Sequence, residues 1–391
     1  MKYRLTKFAE SLQGQPMFKV LERVQEMQRQ GKDVIHFEIG DPDFPTPKNI
    51  KDAAIKAIQE GKTHYAPSIG IRELREVVRE TTFKTRGFLP SLDQVLIAPG
   101  ANILIYYAVR CLVEPGDEVI VPDPGFPTYY SVLSSCGAKP VRVPLKEENS
   151  FRMNPKDVRA AITDKTRLII LNSPHNPTGS VMTEEEIMKM AKIAEEFDIY
   201  LYSDEIYSRT MFDDHIKFSS PSTLDQCKKR TIVANGFSKG FSMTGWRIGV
   251  AIGPEDVIAK MSLLLQTTSS CVPPFIQYAA LEAITGDQTE VRMMVNEYKE
   301  RRDILVEGLN NIKGISCLNP GGAIYVFPNI TETGMTSEEF VDFVLNKANV
   351  ALLPGTNFGD YGEGYIRMCY ANSKENIIEG LRRIKSVLEN R

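Results

Sequence analysis

A serine and a lysine stand together at Ser238 and Lys239, and Arg247 follows, all in a loop that carries Gly240 and Gly245. Residues 231–236 before the loop and 248–252 after it read as short buried strands. Ligands of α/β proteins bind at strand ends. A hydroxyl, an ammonium and a guanidinium converging there suit a phosphate, because arginine offers a planar fork of donors. Lys239 has a second use. A lysine that is desolvated or held among like charges loses its proton and attacks a carbonyl. The plain alternative is a surface loop, since 47 of the 391 residues are Lys or Arg.

Other strand ends carry polar groups as well. Residues 94–99 read as a strand, and Gly100, Ala101 and Asn102 then open a helix. Such a turn binds anions through backbone N–H groups and the helix dipole. Residues 199–203 form a strand that runs into Asp204, Glu205 and Tyr207. A carboxylate at the end of a buried strand is costly without a cationic partner. Asp204 is read as that group, and a solvated acidic loop remains open to Glu205. Residues 167–171 are an apolar run of the kind found in a central parallel strand. They deliver a turn from Asn172 to Gly179 that contains Asn176 and Pro177.

The elements that must position these groups alternate in kind. Helices are expected over 17–31, 48–60, from 71 onward, 184–196, 254–266, 275–284 and 288–311. Residues 267–274 are read as the linker within the 254–284 pair. The remainder reads as strand, strand, helix, strand, strand, helix, an α+β unit. Within it, residues 364–370 form a strand with a single arginine, Arg367.

Composition narrows the classes. A chain of 391 residues exceeds one simple core, so two domains are expected. Charged residues are 25% and the net charge is -3, which gives no basic footprint for nucleic acid or anionic membrane. No apolar run is long enough for a membrane span, and the N-terminus lacks the apolar core of a leader peptide. Six scattered cysteines without a Cys-x-x-Cys pair read as reduced thiols, so a cytoplasmic location is expected, without disulfides or a metal site.

Taken in order, these stretches resemble the class I and II aminotransferases, the fold-type I enzymes that use pyridoxal 5′-phosphate (PLP). Ser238-Lys239, five residues, then Gly245-Trp246-Arg247-Ile248-Gly249 is similar to the family's lysine signature. The resemblance implies that Lys239 joins the cofactor as an imine and that Ser238 and Arg247 hold its phosphate. It assigns Gly100, Ala101 and Asn102 to the same phosphate, Phe126 to stacking on the pyridine ring, and Asp204 to the pyridinium nitrogen. Asn176 and Tyr207 fall on the phenolic oxygen, Gly40 on a turn near the substrate, and Arg367 on the substrate α-carboxylate. Tyr65 is implied to reach the cofactor phosphate of a partner subunit.

The implied fold is α/β, with a large PLP-binding domain over 46–285 on a mixed, mostly parallel sheet. A smaller α+β domain joins 1–45 with 286–391. The implied protein is a homodimer that moves an amino group from an L-amino acid to a 2-oxo acid with ping-pong kinetics. Some aspartate-specific relatives carry a lysine just after the phosphate-turn glycines, where this chain has Asn102. Acidic and neutral or aromatic donors therefore both stay open. A C–S β-lyase would use the same cofactor residues. An aminotransferase-like regulator would need a DNA-binding module and a basic face, and Gly40 arrives too early for the first.

Overall fold

The computed structural model describes residues 4–6, 9, 10, 16–212 and 217–391. Part of the N-terminal stretch read above for a leader lies outside them. Among the described residues, no helix is long and apolar enough to cross a membrane.

The site is carried by a seven-stranded sheet. Its strands are β2 (Val95–Ala98), β3 (Glu118–Asp123), β4 (Lys139–Pro144), β5 (Thr166–Asn172), β6 (Tyr200–Asp204), β7 (Thr231–Gly236) and β8 (Gly249–Ile252), in the order β2-β8-β7-β6-β5-β3-β4. Only β8 runs against its neighbours. The central strands are buried on both faces: Leu168, Ile169 and Ile170 on β5 and Leu201 on β6 have no exposed surface. That burial explains why they read as continuous apolar runs rather than alternating ones. Register pairs Asn172 with Asp204, and Asp204 with Ala234. The polar residues that end β5 and β6 therefore stand side by side at one edge.

Helices cover both faces, and local chemistry sets their ends. The helix Glu184–Glu196 starts at a capping box in which Thr183 and Glu186 exchange hydrogen bonds. The expected linker over 267–274 is shorter than its composition suggested, because the helix Glu255–Ser269 runs through it. The Thr267 and Thr268 hydroxyls donate to Leu263 and Leu264 carbonyls at 2.9 and 2.8 Å, which keeps them satisfied inside the helix. The chain turns only before Pro273 and Pro274, which bring no N–H.

The C-terminal third departs from the expected element order. After the helix Thr289–Asn310 come β9 (Tyr325–Val326), the helix Ser337–Ala348, then β10 (Val350–Ala351), β11 (Leu353–Pro354) and β12 (Ile366–Cys369), and a last helix Lys374–Glu389. Residues 314–324 carry Pro320, Gly321 and Gly322 and make only isolated bridges, so no first strand forms. The apolar run after Ala348 splits. β10 pairs in parallel with β1 (Ile35–His36), while β11 joins β12 and β9 in a separate sheet. This pairing brings the segment that leads into Gly40 against the C-terminal elements.

Candidate active site

A cavity of about 550 Å³ opens at the carboxyl ends of β5, β6 and β7. Lys239 reaches it from the loop after β7, where the buried Phe237 and Phe241 anchor the turn. Its Nζ donates to the Gly40 carbonyl at 2.5 Å. Burial brings the amine down to about 8, and the nearby guanidiniums of Arg367 and Arg247 push the same way. Lys239 is therefore partly neutral near physiological pH.

Asp204, the last residue of β6, faces it across the cavity. Its Oδ2 accepts from the Tyr129 hydroxyl at 2.7 Å and its Oδ1 from the Ile206 N–H at 3.2 Å. Among the described residues no cation pairs with it, and burial raises its carboxyl to about 6. The adjacent Glu205 is not the solvated loop acid considered above. Successive side chains of an extended strand point to opposite sides, so Glu205 turns into the protein, 1% exposed. There it pairs with Arg86 and accepts from Ser203 at 3.0 Å and Ser220 at 2.5 Å.

The loop after β5 is pinned by Asn172. Its amide donates to the carbonyls of Pro174 at 3.1 Å and Asp204 at 3.0 Å, and its Oδ1 accepts the Asn176 N–H at 2.9 Å. Asn176 Oδ1 in turn accepts from Arg367 Nη1 at 3.2 Å. Arg367 is 1% exposed, and its Nη2 donates to the Glu38 carbonyl. Its guanidinium lies between the rings of Tyr325 and Phe358, at 4.5 and 4.8 Å from their centroids. Its Nε is buried without a hydrogen-bond partner. The Tyr207 hydroxyl lies 2.8 Å from that of Tyr325.

The other end of the cavity is more open. Ala101 precedes the helix Asn102–Leu112 without a side-chain cap, so the first N–H groups stay free for an anion. Gly100 has φ +89°, and a Cβ there would lie 2.5 Å from Arg247 Nη2. A Cβ on Gly249 would lie 2.5 Å from the Ala101 nitrogen. Glycine at both positions thus lets the turn, the arginine and β8 meet. Ser238 is buried beside them, whereas Asn102 and Arg247 are exposed. Phe126 lines the cavity and packs edge-on against Tyr129, 5.6 Å between centroids.

The structure thus brings Lys239, Ser238, Asp204, Tyr207, Asn176, Phe126, Ala101, Asn102, Arg247, Gly40 and Arg367 to one cavity, with Gly100 directly behind Arg247. Tyr65 is not brought there: it is 89% exposed and does not line the cavity. Tyr129, Asn172 and Tyr325 line the cavity without having been singled out. Tyr129 had a signal, lying three residues after Phe126 on what becomes one helix face. Tyr325 had none, because it arrives from β9.

The donor set fits PLP. A lysine of lowered basicity, a buried carboxylate lacking a cation, an aromatic wall and an uncapped helix N-terminus beside an arginine match an aldehyde, a pyridinium, a flat ring and a phosphate.

Comparison with known proteins agrees. The model of the family described as aminotransferase class I and II matches residues 32–384. An aspartate aminotransferase of Pyrococcus horikoshii is 46% identical over 365 residues, 92% of this chain and 91% of the relative. Aromatic-amino-acid aminotransferase 2 of Thermococcus litoralis is 40% identical over 359 residues, covering 91% of this chain and 92% of the relative. The structure of Thermus thermophilus aspartate aminotransferase with maleate superposes with a TM-score of 0.94 at 34% identity, over 98% of this chain and 100% of that one. The protein is an enzyme, and the chain belongs to the class I and II aminotransferases.

Proposed function

We propose that this aminotransferase holds PLP in the cavity and takes its amino group from neutral or aromatic L-amino acids. One observation carries the substrate class. Among the described residues lining the cavity, the cations are Lys239, Arg247 and Arg367. Each has a use in the scheme below, so the described lining from this chain leaves no cation for a second substrate carboxylate. Ile39, Ile105 and Phe18 supply apolar lining instead.

Ser238, Arg247 and the N–H groups at Ala101 and Asn102 would hold the phosphate, while the Gly100 N–H closes the turn onto the Ala98 carbonyl at 2.7 Å. Phe126 would cover the ring face, Asn176 and Tyr207 the phenolic oxygen, and Asp204 the ring nitrogen. PLP, when bound, supplies an electron sink for the pair left at the substrate Cα. Arg367 clamps the α-carboxylate with its fork, in a socket the two aromatic rings hold still. Lys239 Nζ would remove the Cα proton as general base and, as general acid, would hand it to the cofactor carbon C4′ rather than back to Cα. Burial suits it to both tasks by bringing its basicity close to working pH. One product leaves before the second substrate enters, so parallel initial-rate lines are expected.

The exposed Tyr65 supports a homodimer in which this ring serves the partner's phosphate. The β1–β10 pairing supports a division of the chain into 46–285 and 1–45 with 286–391. A second reading, aspartate as donor, is favoured by the names of relatives at 46% and 41% identity. Mixing PLP-loaded protein with single amino acids, without any oxo acid, separates the two. Loss of the PLP absorbance with equal oxo acid formed from aromatic and neutral donors supports the proposal. A response confined to aspartate and glutamate establishes the second reading, and ammonia with pyruvate would mean a lyase.

A further inference from the structure

We propose that Tyr325 is a positioning residue that ties capture of the substrate carboxylate at Arg367 to the hydroxyl of Tyr207, a link that rests on the roles given to those two residues above. Tyr325 is 2% exposed and reaches the cavity from β9. It makes two contacts that no other described residue combines. Its ring lies against the Arg367 guanidinium, 4.5 Å from the centroid, and its hydroxyl lies 2.8 Å from that of Tyr207. The two tyrosine rings meet edge to face, 5.7 Å apart at 81°. The chain makes room for that hydroxyl: a Cβ on Gly40 would lie 1.9 Å from Tyr325 Oη. The same Gly40 offers its carbonyl to Lys239. The closeness of Gly40 to the substrate region is thereby explained by a side chain of this protein.

The physics runs through the phenol pair. Either hydroxyl of this pair can donate; with Tyr325 donating, the Tyr207 O–H is left to point into the cavity, polarised so that the bond it gives onward is stronger. Among the described residues the Tyr207 hydroxyl has no hydrogen-bond partner besides Tyr325, so Tyr325 orients it. Burial keeps both phenols above their ordinary range, so both stay protonated and able to donate. The titratable groups around them are Arg367 and Asp204 at Tyr207, and Arg367, Asp41 and the neutral Cys369 thiol at Tyr325. A carboxylate drawn onto Arg367 changes the charge against the Tyr325 ring and so reaches Tyr207.

Two variants separate the hydroxyl from the ring. Tyr325→Phe keeps the ring on Arg367 and removes only the hydroxyl; Tyr325→Leu removes both. The pH titration of the visible PLP absorbance is read alongside steady-state kinetics. With Tyr207 a weaker donor, Tyr325→Phe should raise the titration midpoint by about half to one pH unit. It should lower kcat about three- to tenfold and leave KM for the amino acid within about twofold. Tyr325→Leu should show the same shift and in addition raise KM about tenfold, through the lost ring contact. A wild-type midpoint and kcat in Tyr325→Phe would overturn the link, as would an equal rise in KM in both variants. A wild-type protein without any PLP band would overturn the function and the link together.

Discussion

On the floor of the cavity Asp204, Tyr207, Asn176 and Arg367 are held by partners from the chain itself and are largely hidden from water, whereas on the rim Asn102 and Arg247 stand exposed, and Tyr65 lies exposed outside the cavity. The floor is thus oriented before any ligand arrives. Its dipoles and charges act in a poorly solvated space, where they are strong and need no rearrangement. Rim groups are screened by water until something covers them. Chemistry should therefore depend steeply on the floor, and the rim should mainly adjust affinity.

Lys239→Ala should have the largest effect, a fall in turnover of about 10⁴-fold or more, because one amine serves as both base and acid. Product formation in the half-reaction reads it directly, and an active Lys239→Ala protein would remove the floor's central residue from the scheme. Asp204→Asn should follow, with kcat down about 10²–10³-fold. It also carries a pH signature. Burial sets this carboxyl at about 6, so below that pH it is protonated and must release the proton to pair with a cation. PLP affinity of the apoprotein should fall about tenfold per unit as pH drops below about 6 and stay level above it. That part of the dependence should vanish in Asp204→Asn; if it persists, the cofactor phosphate rather than the floor carboxylate is titrating.

Arg367→Lys keeps the charge and loses the fork. It should lower kcat/KM about 10- to 100-fold, mostly through KM. An effect confined to kcat would show that the clamp acts on chemistry and not on capture. Tyr65→Phe should be mildest, weakening PLP binding about two- to fivefold in a fluorescence titration. A loss as large as that of Asp204→Asn would dissolve the contrast, because it would place Tyr65 on the floor of a site completed by a second copy of the chain.

Residues whose chemistry is unusual for their setting were legible in advance. Lys239 beside a serine in a glycine-bearing loop and Asp204 at the end of an apolar strand stood out by residue type and place, Arg367 was pointed to by the family resemblance alone, and all three line the cavity. Glu205 was left open to a solvated loop, yet the chain turns it inward, to Arg86. The threonines at 267 and 268 resembled a linker because a sequence window does not show that their hydroxyls bond back into the helix.

What the sequence by itself determined is the strands and turns that deliver Gly100, Asn176, Asp204 and Lys239, and the kind of group each of those strand ends carries. Apolar periodicity, turn residues and motif spacing are local properties, and they hold whatever the distant chain does. Only the tertiary structure decided that Tyr129 would hold Asp204, that Tyr325 would join Arg367 to Tyr207, and that Gly40 would lie beneath both Lys239 and that tyrosine. Those contacts link residues 75, 118 and 199 positions apart. Such distances are closed by packing of the whole core, and no short stretch of sequence encodes them.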